Sequence, residues 1–552
     1  MISWRNSVIE KPAPLPSVLL VFLITFVVYP SCMVLTKSFF VDGAPGFDNF
    51  VSFATQPHLF QVLWQSVLVA LLVAFSSIAM GLCLSLTVFK TELPLRPFFR
   101  VAAVIPLVIP GFVASLAYLF LFGRNGLITY KMLHLKLAIY SWKSVAIVQT
   151  MNFTTTAFLI LSAALLSIDG REEDAARTLG ASEWDVFRTV TLPLLRPGLA
   201  ASAVLIFMCS MADFSTPLFL GGRFGTLAST SYTQLIGSYD LEMASTMNAM
   251  LLFICLVAFW IFRMFQRNSD RVRRSSGGSH KAIDFPALPS ACIWSASALF
   301  SVSVWFLLLS VFVAAFTKHL GANFDFTMSY FVAAFQRGWR GMVNTVIFAS
   351  SSAFASAMIG MVIAWLIARR TFFGRRVLDF LSTVPFAIPG TFFGVGYILA
   401  FNGPPLLLSG TWVLVLVLAV VRELPLGVRA GVGMLGQMDG AVEDAAVSLG
   451  DSPSGVFFRV VLPIARPAMI VTALHSFVAT VQTVGALIFI VSPGTKLLSI
   501  DVFEAVFKGD IGIAAALSVV MICLSAAGMS AIVLLSGKRE GNRWMFRENV
   551  SR

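Results

Sequence analysis

Charge is scarce in this sequence: Asp, Glu, Lys and Arg supply 12% of its 552 residues, against 58% hydrophobic ones. Soluble domains carry about 25% charge, so the composition excludes an ordinary soluble protein and points to an integral membrane protein. Lys and Arg outnumber Asp and Glu by 39 to 27. The excess lies in short clusters between apolar runs, which fits positively charged cytoplasmic loops and argues against nucleic-acid binding. Cysteine is sparse, and Cys32, Cys83, Cys209, Cys255, Cys292 and Cys523 form no C-x-x-C pair. They read as small apolar side chains. Five scattered histidines contain no H-x-x-x-H pair, so no metal site is predicted. The P-loop pattern G-x-x-x-x-G-K-[ST] is missing too; "SGKRE" at Ser536 lacks the upstream glycine and the following hydroxyl. The chain is therefore expected to bind no nucleotide or other cofactor and to catalyse nothing itself.

Long apolar runs are abundant. A span needs about 20 residues, and twelve candidates occur, at roughly 17–38, 62–89, 99–122, 143–167, 195–220, 243–265, 290–317, 342–368, 377–401, 409–433, 464–492 and 511–536. They are numbered one to twelve in chain order. The first is too long for a signal peptide and reads as a retained span. A basic, then Gly/Ser/Pro-rich stretch divides the chain into halves 1–266 and 290–552, with a linker at 267–289. Lys90, Arg96 and Arg100 match Arg369, Arg370, Arg375 and Arg376 in the second half. With Arg263, Arg267, Arg271, Arg273 and Arg274 in the linker and Lys538, Arg539 and Arg543 in the tail, they predict cytoplasmic N- and C-termini. Arg124, Lys131 and Lys136 run against that bias.

The halves repeat each other. "DGREEDAARTLGASEWDVFRTVTLPLLRP", from Asp169, and "DGAVEDAAVSLGDSPSGVFFRVVLPIARP", from Asp439, agree at 16 of 29 positions without a gap, at an offset of 270. Upstream, "VIPLVIPG" (Val104 to Gly111) matches "TVPFAIPG" (Thr383 to Gly390) at an offset of 279. The paired prolines predict kinks in spans three and nine. Each polar repeat reads as a short helix, 170–180 and 440–450. Asp169 and Asp439 supply caps, Glu172 a capping-box partner in the first copy, and Gly180 and Gly450 the ends. Glu173, Asp174, Glu443 and Asp444 suit the positive end of the helix dipole, and Ala175, Ala176, Ala445 and Ala446 leave a flat face for another protein.

The spacing E-[DE]-A-A-x-x-x-G, with Leu192-Pro193 or Leu462-Pro463 downstream, resembles the "EAA" loop of permease subunits of bacterial ATP-binding-cassette importers. The resemblance implies an all-α polytopic protein of the type I importer fold, whose two six-helix halves are related by pseudo-twofold symmetry. It implies placement in the bacterial inner membrane and two coupling helices docked on two copies of an ATPase subunit that holds ATP and Mg. Pro453-Ser454-Gly455, where the first copy has Glu183-Trp184-Asp185, departs from the pattern and is expected to loosen the second copy. The fused arrangement with "DFSTPLFLGGRFGTLAST" after span five resembles ferric-iron permeases, a group with relatives that handle 2-aminoethylphosphonate and sugar phosphates. That implies a periplasmic binding protein as a further partner.

Few residues qualify for a translocation path: Gln149, Asn152, Asp213, Gln482, Arg422 and Glu423. Intramembrane ionisable groups are costly and default to functional candidates, although Arg422 and Glu423 also suit a structural pair or a snorkelling end. Ferric iron wants hard oxygen ligands, and no ring of carboxylates or tyrosines is evident. A phosphonate or sugar phosphate would instead welcome Arg422. An ion-gradient-driven secondary transporter is the competing class, but it gives no reason for twin cytoplasmic Ala-Ala-Gly segments.

Overall fold

The computed structural model describes residues 14–41, 44–91, 95–123, 126–134, 139–269, 284–319 and 323–536. Most of the linker and the basic tail lie outside them, as do Arg124, Lys136, Arg271, Arg273, Arg274, Lys538, Arg539 and Arg543. Among the described residues the architecture is helical apart from two short antiparallel hairpins, Phe40–Val41 with Ala44–Pro45 and Thr317–His319 with Asn323–Phe326. Each hairpin comes directly after the first span of a sequence half. Among the described residues nine helices are long and apolar enough to cross a membrane, and two bent pairs bring the number to eleven. The remaining predicted span, span ten, is the helix Trp412–Gln437, which carries Arg422, Glu423 and Arg429.

The chain packs into two compact units that interleave the sequence halves. One comprises residues 37–335 and 502–519, the other 1–36, 336–501 and 520–552. In the first unit, span seven (Ala287–Phe316) packs on spans two and three. Phe300 and Val304 join Leu84, Val88, Phe99 and Phe158 in a buried cluster, and Ser297 hydrogen-bonds Thr87 at 2.9 Å. In the second unit, span one plays the equivalent part. The fully buried Tyr397 of span nine donates its hydroxyl to the Phe26 carbonyl at 2.8 Å. Each unit is thus completed by the first span of the other sequence half.

Small residues set the tightest helix crossings, because close approach supplies the packing that lipid leaves to van der Waals contact. A Cβ on Gly81 would lie 2.5 Å from that of Ala157, so spans two and four meet there. At the equivalent crossing, a Cβ on Gly360 would lie 2.9 Å from the Gly427 backbone, between spans eight and ten. The duplication reaches individual bonds. Ser66 accepts from the N–H of Leu227 at 2.7 Å, and Thr345 accepts from that of Leu498 at 2.8 Å, each tying down a short helix (Leu227–Gly237, Leu498–Phe507).

Spans three and nine break outright, where the prolines predict only a kink. Span three is a helix Arg96–Val108, an extended Ile109, and a second helix Gly111–Phe122 that starts after Pro110. Span nine runs Arg375–Thr383, a short turn, then Gly390–Phe401, with a 113° bend. Pro106 is accommodated inside the first helix, whereas Pro110 pushes the preceding Ile109 out of the helical region and ends it. The extra nine residues of the first half fall just afterwards, between Phe122 and Trp142, where the second half needs only the stretch from Phe401 to Trp412.

Candidate functional site

The repeated segments form the expected short helices, Gly170–Thr178 and Ala441–Ser448. Asp169 accepts from the N–H of Arg171, and Asp439 from that of Ala441, both at 3.0 Å. Each helix ends in a six-residue loop closure. The N–H of Ala181 reaches the Ala176 carbonyl at 3.2 Å and that of Asp451 reaches the Ala446 carbonyl at 3.1 Å, around Gly180 (φ 87°) and Gly450 (φ 88°). That conformation favours glycine. Nothing lies within 4 Å of either missing Cβ, so the glycine is required by backbone conformation and not by crowding. Ala175 and Ala445 are exposed, as the flat face predicts.

Sequence reasoning missed two features. Leu179 and Leu449, just before the glycines, are 89% and 90% exposed, so each helix offers a bare apolar tip. The second is an anchor under each helix. Lys90, at the end of span two, donates to both carboxylate oxygens of Glu173 at 2.7 and 2.6 Å, and both side chains are buried. Thr191 adds a third donor at 2.9 Å. In the second half Arg369, at the position that matches Lys90 in the 279 offset, donates to Glu443 at 2.7 Å, with Trp365 at 3.3 Å. Its guanidinium also reaches the carbonyls of Leu435 and Met438. Lys90 and Arg369 read from sequence as orientation signals only; the matched Glu at the 270 offset was the available hint.

The departure at Pro453 has a structural counterpart. In the first copy Arg177 bridges Asp174 at 2.9 Å and both oxygens of Glu183 at 2.7 and 3.0 Å, strapping the helix to the next segment. The Glu183 hydrogen bond pushes the Arg177 pKa further above its usual high value. The second copy has Val447 and Pro453 at those positions and only an exposed Arg459–Asp451 contact at 3.7 Å.

The path candidates separate into four arrangements. Gln149, fully buried, donates to Asp213 at 3.0 Å and accepts from Ser210 at 2.7 Å. The other Asp213 oxygen accepts from Ser215 N–H, Ser215 hydroxyl and Thr216 N–H. Asp213 therefore holds the break between Leu192–Ala212 and Ser215–Leu220. Asn152 and Arg422 are equivalent across the repeat, and each lies against the glycine that starts a half-helix. A Cβ on Gly111 would be 3.2 Å from the Asn152 amide, and one on Gly390 3.5 Å from the Arg422 guanidinium. Glu423 contacts His475 of span eleven at 3.3 Å, a partner that the sequence did not reveal. Gln482 ends the helix Arg466–Gln482, half-buried.

The family described as "Binding-protein-dependent transport system inner membrane component" matches twice, over residues 77–271 and 356–539. The chain belongs to this family. It is 32% identical over 538 residues to the ferric transport system permease protein FbpB of Actinobacillus pleuropneumoniae, covering 95% of this chain and 77% of that one. Against the putative ferric transport system permease protein FbpB 1 of Haemophilus influenzae the identity is 33%, over 88% of this chain and 78% of the relative. The molybdenum transport system permease protein ModB of Escherichia coli is matched at 30% over 97% of its length by only 38% of this chain. This permease is a multi-pass inner-membrane protein that carries two family domains in one polypeptide.

Proposed function

We propose that this permease is the membrane channel of an ATP-driven importer for ferric iron, supplied by a periplasmic binding protein and driven by two ATPase copies. One observation carries the reading. Two short helices each begin at an aspartate that accepts from the N–H two residues on and end in an exposed leucine before a left-handed glycine, and each is bonded through a carboxylate to the basic end of a long span. A partner that grips the tips can pull or push on spans two and eight through rigid joints. Both termini and both tips face the cytoplasm in this reading, where the ATPase binds ATP and Mg; the chain itself binds neither. Ferric cargo is favoured by the two FbpB relatives, which align over most of this chain.

Reconstitution of the permease with its ATPase and binding protein in liposomes tests the proposal. Radioactive ferric iron should enter only while ATP is hydrolysed, and replacing Gly180 and Gly450 together with valine should stop entry while the chain stays in the membrane. Uptake that continues without hydrolysis would remove the reading. A second cargo class, small oxyanions, is favoured by Arg422 at the Gly390 half-helix. Competition of iron uptake by sulfate, molybdate or phosphonates distinguishes the two.

A further inference from the structure

The Glu423–His475 pair has no counterpart in the first half, where Phe153 and Leu205 occupy the equivalent positions. It is therefore an addition to the repeated framework. Glu423 lies eleven residues into the helix Trp412–Gln437 and His475 nine residues into Arg466–Gln482. At 1.5 Å per residue each sits roughly 14–17 Å along its span, near the middle. Ionisable side chains at that depth are costly and are kept for a task. Glu423 is almost enclosed, its side chain 10% exposed, whereas that of His475 is 49% exposed.

Resting on the ferric-iron reading, we infer that Glu423 and His475 are paired ligands that hold the transported metal cation part-way across the membrane. Their chemistry suits a trivalent first-row ion: one hard carboxylate oxygen and one imidazole nitrogen. Their spacing suits it too. Two donors each about 2.1 Å from one ion and about 100° apart lie roughly 3.2 Å from each other, and Nε2 and Oε2 are 3.3 Å apart. Pro425, two residues on, has no N–H to offer the Val421 carbonyl, which puts a further oxygen acceptor on the same stretch of backbone. Arg422 does not fill the site. Successive residues on a helix point about 100° apart, and the Arg422 guanidinium lies against Gly390. Two protein ligands, with water completing the shell, make a station weak enough to release its ion, which conduction requires.

The test uses the whole permease in lipid nanodiscs, titrated with ferric nitrilotriacetate and followed by electron paramagnetic resonance. Wild type should show a bound high-spin ferric signal that Glu423→Gln with His475→Asn abolishes. In liposomes with the ATPase and the loaded binding protein, the same double variant should carry iron at least tenfold more slowly, and His475→Asn alone should be intermediate. Co-elution with the ATPase as in wild type excludes misfolding. If the wild type carries iron and the double variant carries and binds it equally well, the pair has no such role and the ferric reading stands. If the wild type carries no iron, both fall.

Discussion

The helices Gly170–Thr178 and Ala441–Ser448 share a sequence pattern and a backbone, yet they are fastened differently. Under the first, the Lys90–Glu173–Thr191 anchor is sealed from solvent and the Arg177 strap ties the helix to the adjoining segment. Under the second, Arg369 and Glu443 are 24% and 12% exposed, Thr191 is replaced by Val461, and the strap is missing. The tips are alike and the mountings are not. A duplicated device can thus keep its exposed tip while the mountings of the two copies diverge.

Breaking the anchors gives the largest expected difference. Lys90→Met leaves Glu173 buried without its cation, which costs about 3–5 kcal/mol. Arg369→Met removes charged hydrogen bonds from a partly hydrated site and should cost about 1.5–3 kcal/mol. Thermal unfolding in detergent should rank the two variants in that order, and equal losses would show that burial does not separate the mountings. Next come the glycines. Gly180→Val and Gly450→Val force a β-branched residue into the left-handed region, at about 1–3 kcal/mol each. The open surroundings add no clash, so the two penalties should match; a difference in melting temperature would mean that the tips are unlike after all.

Leu179→Asp and Leu449→Asp should change stability by less than about 0.5 kcal/mol, because these side chains touch little in the chain. Each should still weaken capture of the ATPase in a pull-down, and the double variant should abolish it. Unchanged capture would refute the tips as docking points. The smallest effect is constructive. Val447→Arg with Pro453→Glu rebuilds the missing strap in the second copy, worth about 0.5 kcal/mol as a surface pair. Slower hydrogen exchange over 441–456 is the readout.

Much of this was legible from the residues. Hydropathy located the spans because twenty apolar residues in a row have few other uses, and the two polar repeats located two short helices to within two residues. The prolines marked where spans three and nine change course, but not which of each pair would end the helix: Pro106 is carried inside it and the stop falls at Ile109, before Pro110. Side-chain partners were hidden. Lys90 and Glu173 are 83 residues apart, and Glu423 and His475 also lie on different helices, so their meeting depends on how helices cross. The crossings rest on Gly81, Ala157, Gly360 and Gly427, which look like any other small residues in a membrane sequence. The interleaving of the halves was equally silent, since hydropathy identifies spans and says nothing of neighbours.

That interleaving carries a consequence for how the protein comes into being. Spans emerge in order, so span one must wait for Tyr397, 371 residues after Phe26, to make this contact. Span seven, by contrast, meets a finished surface as soon as it arrives. A nascent chain stopped at the linker would hold span one tied only near its end, where Lys37 meets Glu242 at 2.7 Å, and a body missing a wall, a fragment that membrane proteases should clear. The two halves are in effect born as each other's chaperones.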